Sequence, residues 1–196
     1  MHLEKPPVRR RGKALEDALL DAVWDELLEH GYAGLTFDGV AQRAGTSRPV
    51  LYRRWATRPD LVRAALVHNG AKYDIKMPDT GSLRGDMIAY LLEGSRQRQG
   101  LIILLAVGLG SFYEETGSSI GDLRELVIAG RVPIARVLLE RAVARGEADP
   151  ARITPRIERL PFDLLRSELL LTLKPVPRKV IEEIVDTILL PLVAPR

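Results

Sequence analysis

Apolar residues recur three and four positions apart through nearly the whole chain, and no stretch alternates apolar with polar as a half-buried strand does. A chain of 196 residues patterned this way has helices as its regular building blocks, so the expected fold class is all-α, with about nine helices. Leu15, Ala18, Leu19, Ala22, Val23, Leu27 and Leu28 form one stripe over residues 13–30, and Gly31 is a natural stop. Thr36 is the expected N-cap of a second helix, whose Phe37, Val40, Ala41 and Ala44 face inward and which Gly45 ends. Thr46 or Ser47 caps a third, short helix. Pro49 falls in its first turn, where a missing N–H costs nothing, and Leu51 and Trp55 form its buried i, i+4 pair. Further helices are predicted over residues 59–70, 82–99 and 101–111, and a long one over 120–146 kinked at Pro133. The last two span 155–174, with Pro161 inside, and 177–190.

The remaining composition narrows the function classes. There is no cysteine, which excludes disulfides, thiolate metal sites and cysteine nucleophiles. His2, His30 and His68 are scattered, and neither a Gly-rich phosphate loop nor a G-x-S-x-G motif is present. An enzymatic reading therefore has no residues to stand on, and neither a cofactor nor a metal is expected. The most apolar run, residues 101–109, is far shorter than the ~20 residues that span a bilayer. The basic start lacks the apolar run of a secretory signal, so a cytoplasmic protein with no membrane partner is expected.

Net charge is only +3, so distribution matters more than total. Lys5, Arg9, Arg10, Arg11 and Lys13 crowd the start against Glu4, and residues 43–58 hold five arginines (Arg43, Arg48, Arg53, Arg54, Arg58) and no acid. Two short helices joined by a Gly-containing turn make a helix-turn-helix, whose second helix enters the major groove N-terminus first. The exposed face of that helix offers Ser47, Arg48, Pro49, Val50, Tyr52, Arg53 and Arg54. The arm has two readings: a solubilising tail, or a segment that tracks phosphates or enters the minor groove.

The segment GYAGLTFDGVAQRAGTSRPVLYRRW, with its Ala44-Gly45 turn and its Leu51-Tyr52-Arg53-Arg54-Trp55 ending, resembles the DNA-binding segment of TetR/AcrR-family regulators. The resemblance covers roughly the first third of the chain. It implies a phosphate contact for Thr36, groove-facing places for Arg48, Pro49 and Val50, a phosphate or base contact for Tyr52, and a backbone contact for Arg58. Arg53 and Arg54 stand where the family contacts DNA less regularly. Asp38 departs from members with a basic residue there, and no DNA contact is expected of it.

The same resemblance implies a basic flexible arm (1–13), a helix-turn-helix domain (14–60) and a helical ligand-binding and dimerisation domain (61–196). The chain is then a DNA-binding transcriptional regulator, a repressor released from a palindromic double-stranded operator by an unknown small-molecule effector. The alternative is a DNA-binding regulator or architectural protein without such an effector. Candidate effector-lining residues are Met87, Tyr90, Leu91, Leu104, Leu105, Phe112, Val127 and Phe162, each of which ordinary core packing also explains. The last two helices are too apolar for a monomer surface, and Leu165, Leu169, Leu173, Ile181, Ile184 and Ile188 are the candidate homodimer seam; the other reading is that they cover their own domain's core. Two recognition helices in such a dimer stand about one DNA turn, ~34 Å, apart. The fourth helix, taken as common to both domains, is the expected lever between effector and DNA.

Overall fold

The computed structural model describes residues 12–73 and 75–195. The arm residues Lys5, Arg9, Arg10 and Arg11 lie outside them. Every regular element among the described residues is helical: α1 (Lys13–Gly34), α2 (Phe37–Arg43), α3 (Arg48–Tyr52), α4 (Arg58–Lys72), α5 (Leu83–Gln97), α6 (Gln99–Ile103), α7 (Gly110–Thr116), α8 (Ile120–Ile128), α9 (Ile134–Ala144), α10 (Pro155–Thr172), α11 (Arg178–Glu183) and α12 (Leu190–Val193). Wider π-helical turns, Leu104–Gly108 and Ile184–Leu189, join α6 to α7 and α11 to α12. Among the described residues no helix is long and apolar enough to cross a membrane.

One predicted helix is divided. Residues 120–146 form α8 and α9, separated by a turn that the Arg131 N–H closes on the Ile128 carbonyl (3.0 Å). Pro133 has no N–H to offer the carbonyl four residues back and becomes the N-cap of α9, so it ends one helix rather than bending a single long one. Pro161, by contrast, lies inside a continuous α10.

The chain packs as two compact units, and neither is one continuous stretch of sequence. The described residues up to Lys72 join Gly108–Val127; Tyr73–Val107 join the residues from Ile128 onward. Packing thus groups residues 61–72 and 108–127 with the helices of the helix-turn-helix. α4, the expected lever common to both domains, lies whole in the first unit.

In the first unit α1 packs along α4 and also against α2 and α7. Leu19, Val23 and Leu27 of α1, Val40 of α2, Leu51 of α3, Leu61 and Leu66 of α4 and Phe112 of α7 are buried. Each such side chain contributes about 1.5–3 kcal/mol from leaving water. Gly31 breaks the regular α1 (φ 63°), and a Cβ there would stand 3.1 Å from the Gly108 carbonyl oxygen, so only glycine allows this approach to the start of α7. In the second unit, Leu83, Met87 and Leu91 of α5, Leu138 and Leu139 of α9, Leu165 and Leu169 of α10, Ile181 of α11 and Val185 of the following π turn form one core. Asp86 is buried beside it and accepts from the Thr80 amide (2.6 Å) and hydroxyl (2.8 Å), which ties down the turn before α5.

Candidate nucleic-acid interface

The turn between α2 and α3 is closed by the backbone. The Gly45 N–H donates to the Gln42 carbonyl (3.1 Å) and the Thr46 N–H to the Ala41 carbonyl (2.9 Å). This is the paired hydrogen bonding of a Schellman motif, and it needs a left-handed residue between the two helices. Gly45 supplies it at φ +65°, with no atom within 4 Å of where a Cβ would stand. At the other end of α2 the Thr36 side chain accepts from the Gly39 N–H (3.0 Å), as an N-cap does. The hydroxyl proton of Thr36 stays free to donate to a phosphate. Ser47 is the N-cap residue of α3 by backbone geometry, but its side chain makes no capping bond.

Leu51 and Trp55 are buried and fix α3 to the unit; Ser47, Arg48, Pro49, Tyr52, Arg53 and Arg54 are exposed and Val50 is half-buried. The exposed side chains are organised. Arg48 donates from Nη2 to the Tyr52 hydroxyl (2.9 Å) and from Nη1 to Asp38 Oδ2 (3.3 Å). Hydrogen bonding to Tyr52 first, and the Asp38 charge second, raise the pKa of the guanidinium. The Tyr52 ring lies flat on Phe37, with centroids 4.3 Å apart and planes at 10°. Phe37, read from sequence as an inward residue, is thus the platform under Tyr52.

Four of the five arginines of residues 43–58 have acidic partners that the sequence does not place beside them. Arg43 donates from Nε to Glu26 Oε1 (2.7 Å) and from its terminal nitrogens to Glu29 (3.0 and 2.5 Å). Arg54 pairs with Glu16 (2.9 Å). Arg58 donates to Glu115 (2.9 Å) with its guanidinium 4.0 Å from the centre of the Tyr32 ring, and the Tyr32 hydroxyl donates to the same carboxylate (2.8 Å). The Arg58 hydrogen bond, aided by the Tyr32 hydroxyl, holds Glu115 below its ordinary value. Arg58 therefore ties α4 to α7. Among the described residues Arg53 makes no ion pair, which leaves it the least committed cation of the group.

The models of two TetR domains match this chain, "Bacterial regulatory proteins, tetR family" over residues 19–65 and "Tetracyclin repressor-like, C-terminal domain" over residues 77–188. The chain belongs to the TetR family of transcriptional regulators. It is 36% identical over 140 residues to the DNA-binding transcriptional repressor TetR of Mycobacteroides abscessus, covering 70% of this chain and 73% of that protein. It is 30% identical over 188 residues to an uncharacterized HTH-type transcriptional regulator of Mycobacterium tuberculosis, covering 90% of this chain and 86% of that one. The solved structure of the fatty acid degradation regulator FadR from Bacillus halodurans shares the fold, with a TM-score of 0.67, 14% identity, and coverage of 93% of this chain and 97% of that chain.

For a TetR-family regulator the other sites of interest are an effector pocket and a dimer face. Met87, Tyr90, Leu91, Leu104 and Leu105 are buried and Phe162 is half-buried, all in the second unit; Phe112 and Val127 are buried in the first. The eight do not gather in one unit. A surface groove of ≈ 310 Å³ in the second unit is lined by other residues, among them Arg136, Glu140 and Glu158. Of the six dimer candidates, Leu165, Leu169, Ile181 and Ile184 are buried in their own chain's core, because α5, α9 and the π turn already cover them. Ile188 is half-buried and Leu173 is 52% exposed. On α10, Leu171 is 80% exposed and Leu160 is half-buried, whereas the half-buried Leu164 packs against the core.

Proposed function

We propose that this TetR-family regulator is a cytoplasmic repressor that binds a palindromic double-stranded operator as a homodimer and leaves it when a small-molecule effector binds. The observation that carries the reading is the exposed face of α3, where Arg48, Tyr52 and Arg53 project from a short helix anchored by Leu51 and Trp55. Arg48 is the groove-reading residue, through a bidentate contact to guanine. The Thr36 hydroxyl and Arg53 contact phosphate. The repressor sign is supported by the relative named a DNA-binding transcriptional repressor.

Dimerisation is supported by the exposed apolar side chain of Leu171 and the half-buried Leu160 on α10, with the exposed Leu173 beyond its end. A seam of this kind buries more than ~1,000 Å² in total. Leu171→Glu strands a charge in that seam without touching the core and is expected to weaken operator binding by about 10²-fold, since two tethered half-site contacts become one. A variant that stays dimeric with full operator affinity moves the interface elsewhere.

The effector step is supported by the family, whose regulators bind small-molecule effectors. A DNA-binding regulator without an effector draws on a different observation: the apolar candidate residues are divided between two cores. Selection of bound duplexes from a random pool, followed by a screen for molecules that release the selected operator, separates the two. Failure to enrich any palindromic sequence overturns the operator reading, and enrichment with no releasing molecule favours the second.

A further inference from the structure

Asp38 stands in the first turn of α2 on the same exposed face as the recognition residues, with its side chain 72% exposed. A carboxylate there repels phosphate, so its presence on a DNA-facing surface needs a physical reason. The geometry gives one. Asp38 accepts from Nη1 of Arg48 (3.3 Å), while Nη2 of the same guanidinium donates to Tyr52 (2.9 Å), whose ring is stacked on Phe37, the residue before Asp38. Four side chains thus close a ring across α2 and α3: Phe37 and Asp38 adjacent on one helix, Arg48 and Tyr52 one turn apart on the other. Both terminal nitrogens of Arg48 are held by groups rooted in different helices.

We propose that Asp38 is a specificity-determining positioning residue that acts through Arg48, aiming its guanidinium at a base edge and keeping it off phosphate. The inference rests on the DNA-binding reading above. A guanidinium has five N–H donors. Two are engaged here, and Nε–H is among the three left to meet guanine O6 and N7. Without Asp38 the long, exposed side chain of Arg48 reaches backbone phosphate as readily as a base. With Asp38, each binding mode that leaves Arg48 away from its base brings an anion towards phosphate with no compensating contact. Specificity is a difference between affinities, and this arrangement widens it by penalising the wrong complexes. Because the pair is solvent-exposed, it contributes little to folding. Its effect grows when docking excludes water.

The test uses the full chain, its selected operator duplex and a scrambled duplex of equal length, with thermal melts for every variant. Asp38→Asn is expected to melt as the wild type does, to bind the scrambled duplex more tightly, and to lower the operator-to-scrambled affinity ratio by about tenfold, within the range of one bidentate base contact. On the scrambled duplex its salt dependence steepens, by about 0.9 in log–log slope for each phosphate Arg48 newly meets. In an Arg48→Ala background, Asp38→Ala changes the ratio no further, because its route is gone. An unchanged ratio in Asp38→Asn overturns the proposal. So does a full effect that persists without Arg48, which means that Asp38 meets DNA itself. If the wild-type protein enriches and binds no duplex, the DNA-binding reading falls and this inference with it.

Discussion

Arg43 and Arg53 are indistinguishable by residue type, yet the structure sets them different tasks, and salt separates them. Each phosphate neutralised by a cation steepens the fall of log affinity with log salt by about 0.9. Arg53 is exposed and makes no ion pair among the described residues, whereas Arg43 holds Glu26 at 2.7 Å and Glu29 at 2.5 Å. Glu26 is nearly buried, so Arg43 cannot turn to phosphate without leaving a carboxylate unpaired in a poorly solvated place. In a two-subunit complex, Arg53→Ala is therefore expected to make the slope shallower by about 1.8, and Arg43→Ala to leave it unchanged. Over a fourfold rise in salt, from about 50 to 200 mM, that difference amounts to roughly tenfold in affinity. The assay is anisotropy titration of a labelled operator across that range, with melts to show that each variant is folded, since Arg43→Ala lowers stability through Glu26. Comparing slopes between variants cancels the contribution of the basic arm. Equal loss of slope in the two variants refutes the reasoning, because it requires the Glu26 and Glu29 pairs to open for DNA.

Two further outcomes follow from the same unit. Gly45→Ala meets no clash, so its cost is conformational: about 1–2 kcal/mol for an L-residue in the left-handed region, offset by about 0.4–1 kcal/mol from a stiffer unfolded chain. A net loss near ~1 kcal/mol in urea unfolding is expected, less for Gly45→Asn, and no loss in either variant contradicts the left-handed turn. Glu115 titrates below its ordinary 4.5, first because Arg58 hydrogen-bonds it and then because Tyr32 does. Its folded pKa is depressed, so the stability it contributes is present above 4.5 and is lost as pH falls through the lower folded value. Glu115→Gln should lose stability at neutral pH and show a flatter acid limb, and an acid limb identical to that of the wild type in melts below pH 4.5 removes Glu115 from the account.

What the sequence made legible is what short-range chemistry controls. Thr36 as a cap, Gly45 as the turn and Leu51 with Trp55 as the anchor each depend on neighbours within a few residues, and each is found as read. The division of residues 120–146 was misread because a proline in a helical pattern can either bend or end a helix, and only the geometry of residues 128–133 decides. The apolar faces of α10 show a different limit of sequence periodicity. α10 is apolar on more than one face, with Leu160, Leu164, Leu165, Leu169, Leu170 and Leu171 in twelve positions. Periodicity identifies stripes but does not say which one α5 and α9 will cover. They cover Leu165 and Leu169, and Leu171 is left outward.

Charge was the least legible property. Residues 43–58 contain five arginines and no acid, which in one dimension is a strongly basic segment. In three dimensions Glu16, Glu26 and Glu29 reach it from α1, Asp38 from α2 and Glu115 from α7, a carboxylate 57 positions from its arginine. Coulomb energy depends on distance through space, and folding brings together groups that sequence separation hides. These pairings divide the arginines by role. Those answered by Glu26, Glu29, Glu16 and Glu115 fasten the helices that carry α3. On the proposed reading Arg48, answered by Asp38 and Tyr52, is the base reader, and Arg53 meets phosphate. A short helix that must read bases accurately needs all three kinds, because a guanidinium free to move favours the phosphates that every DNA sequence offers.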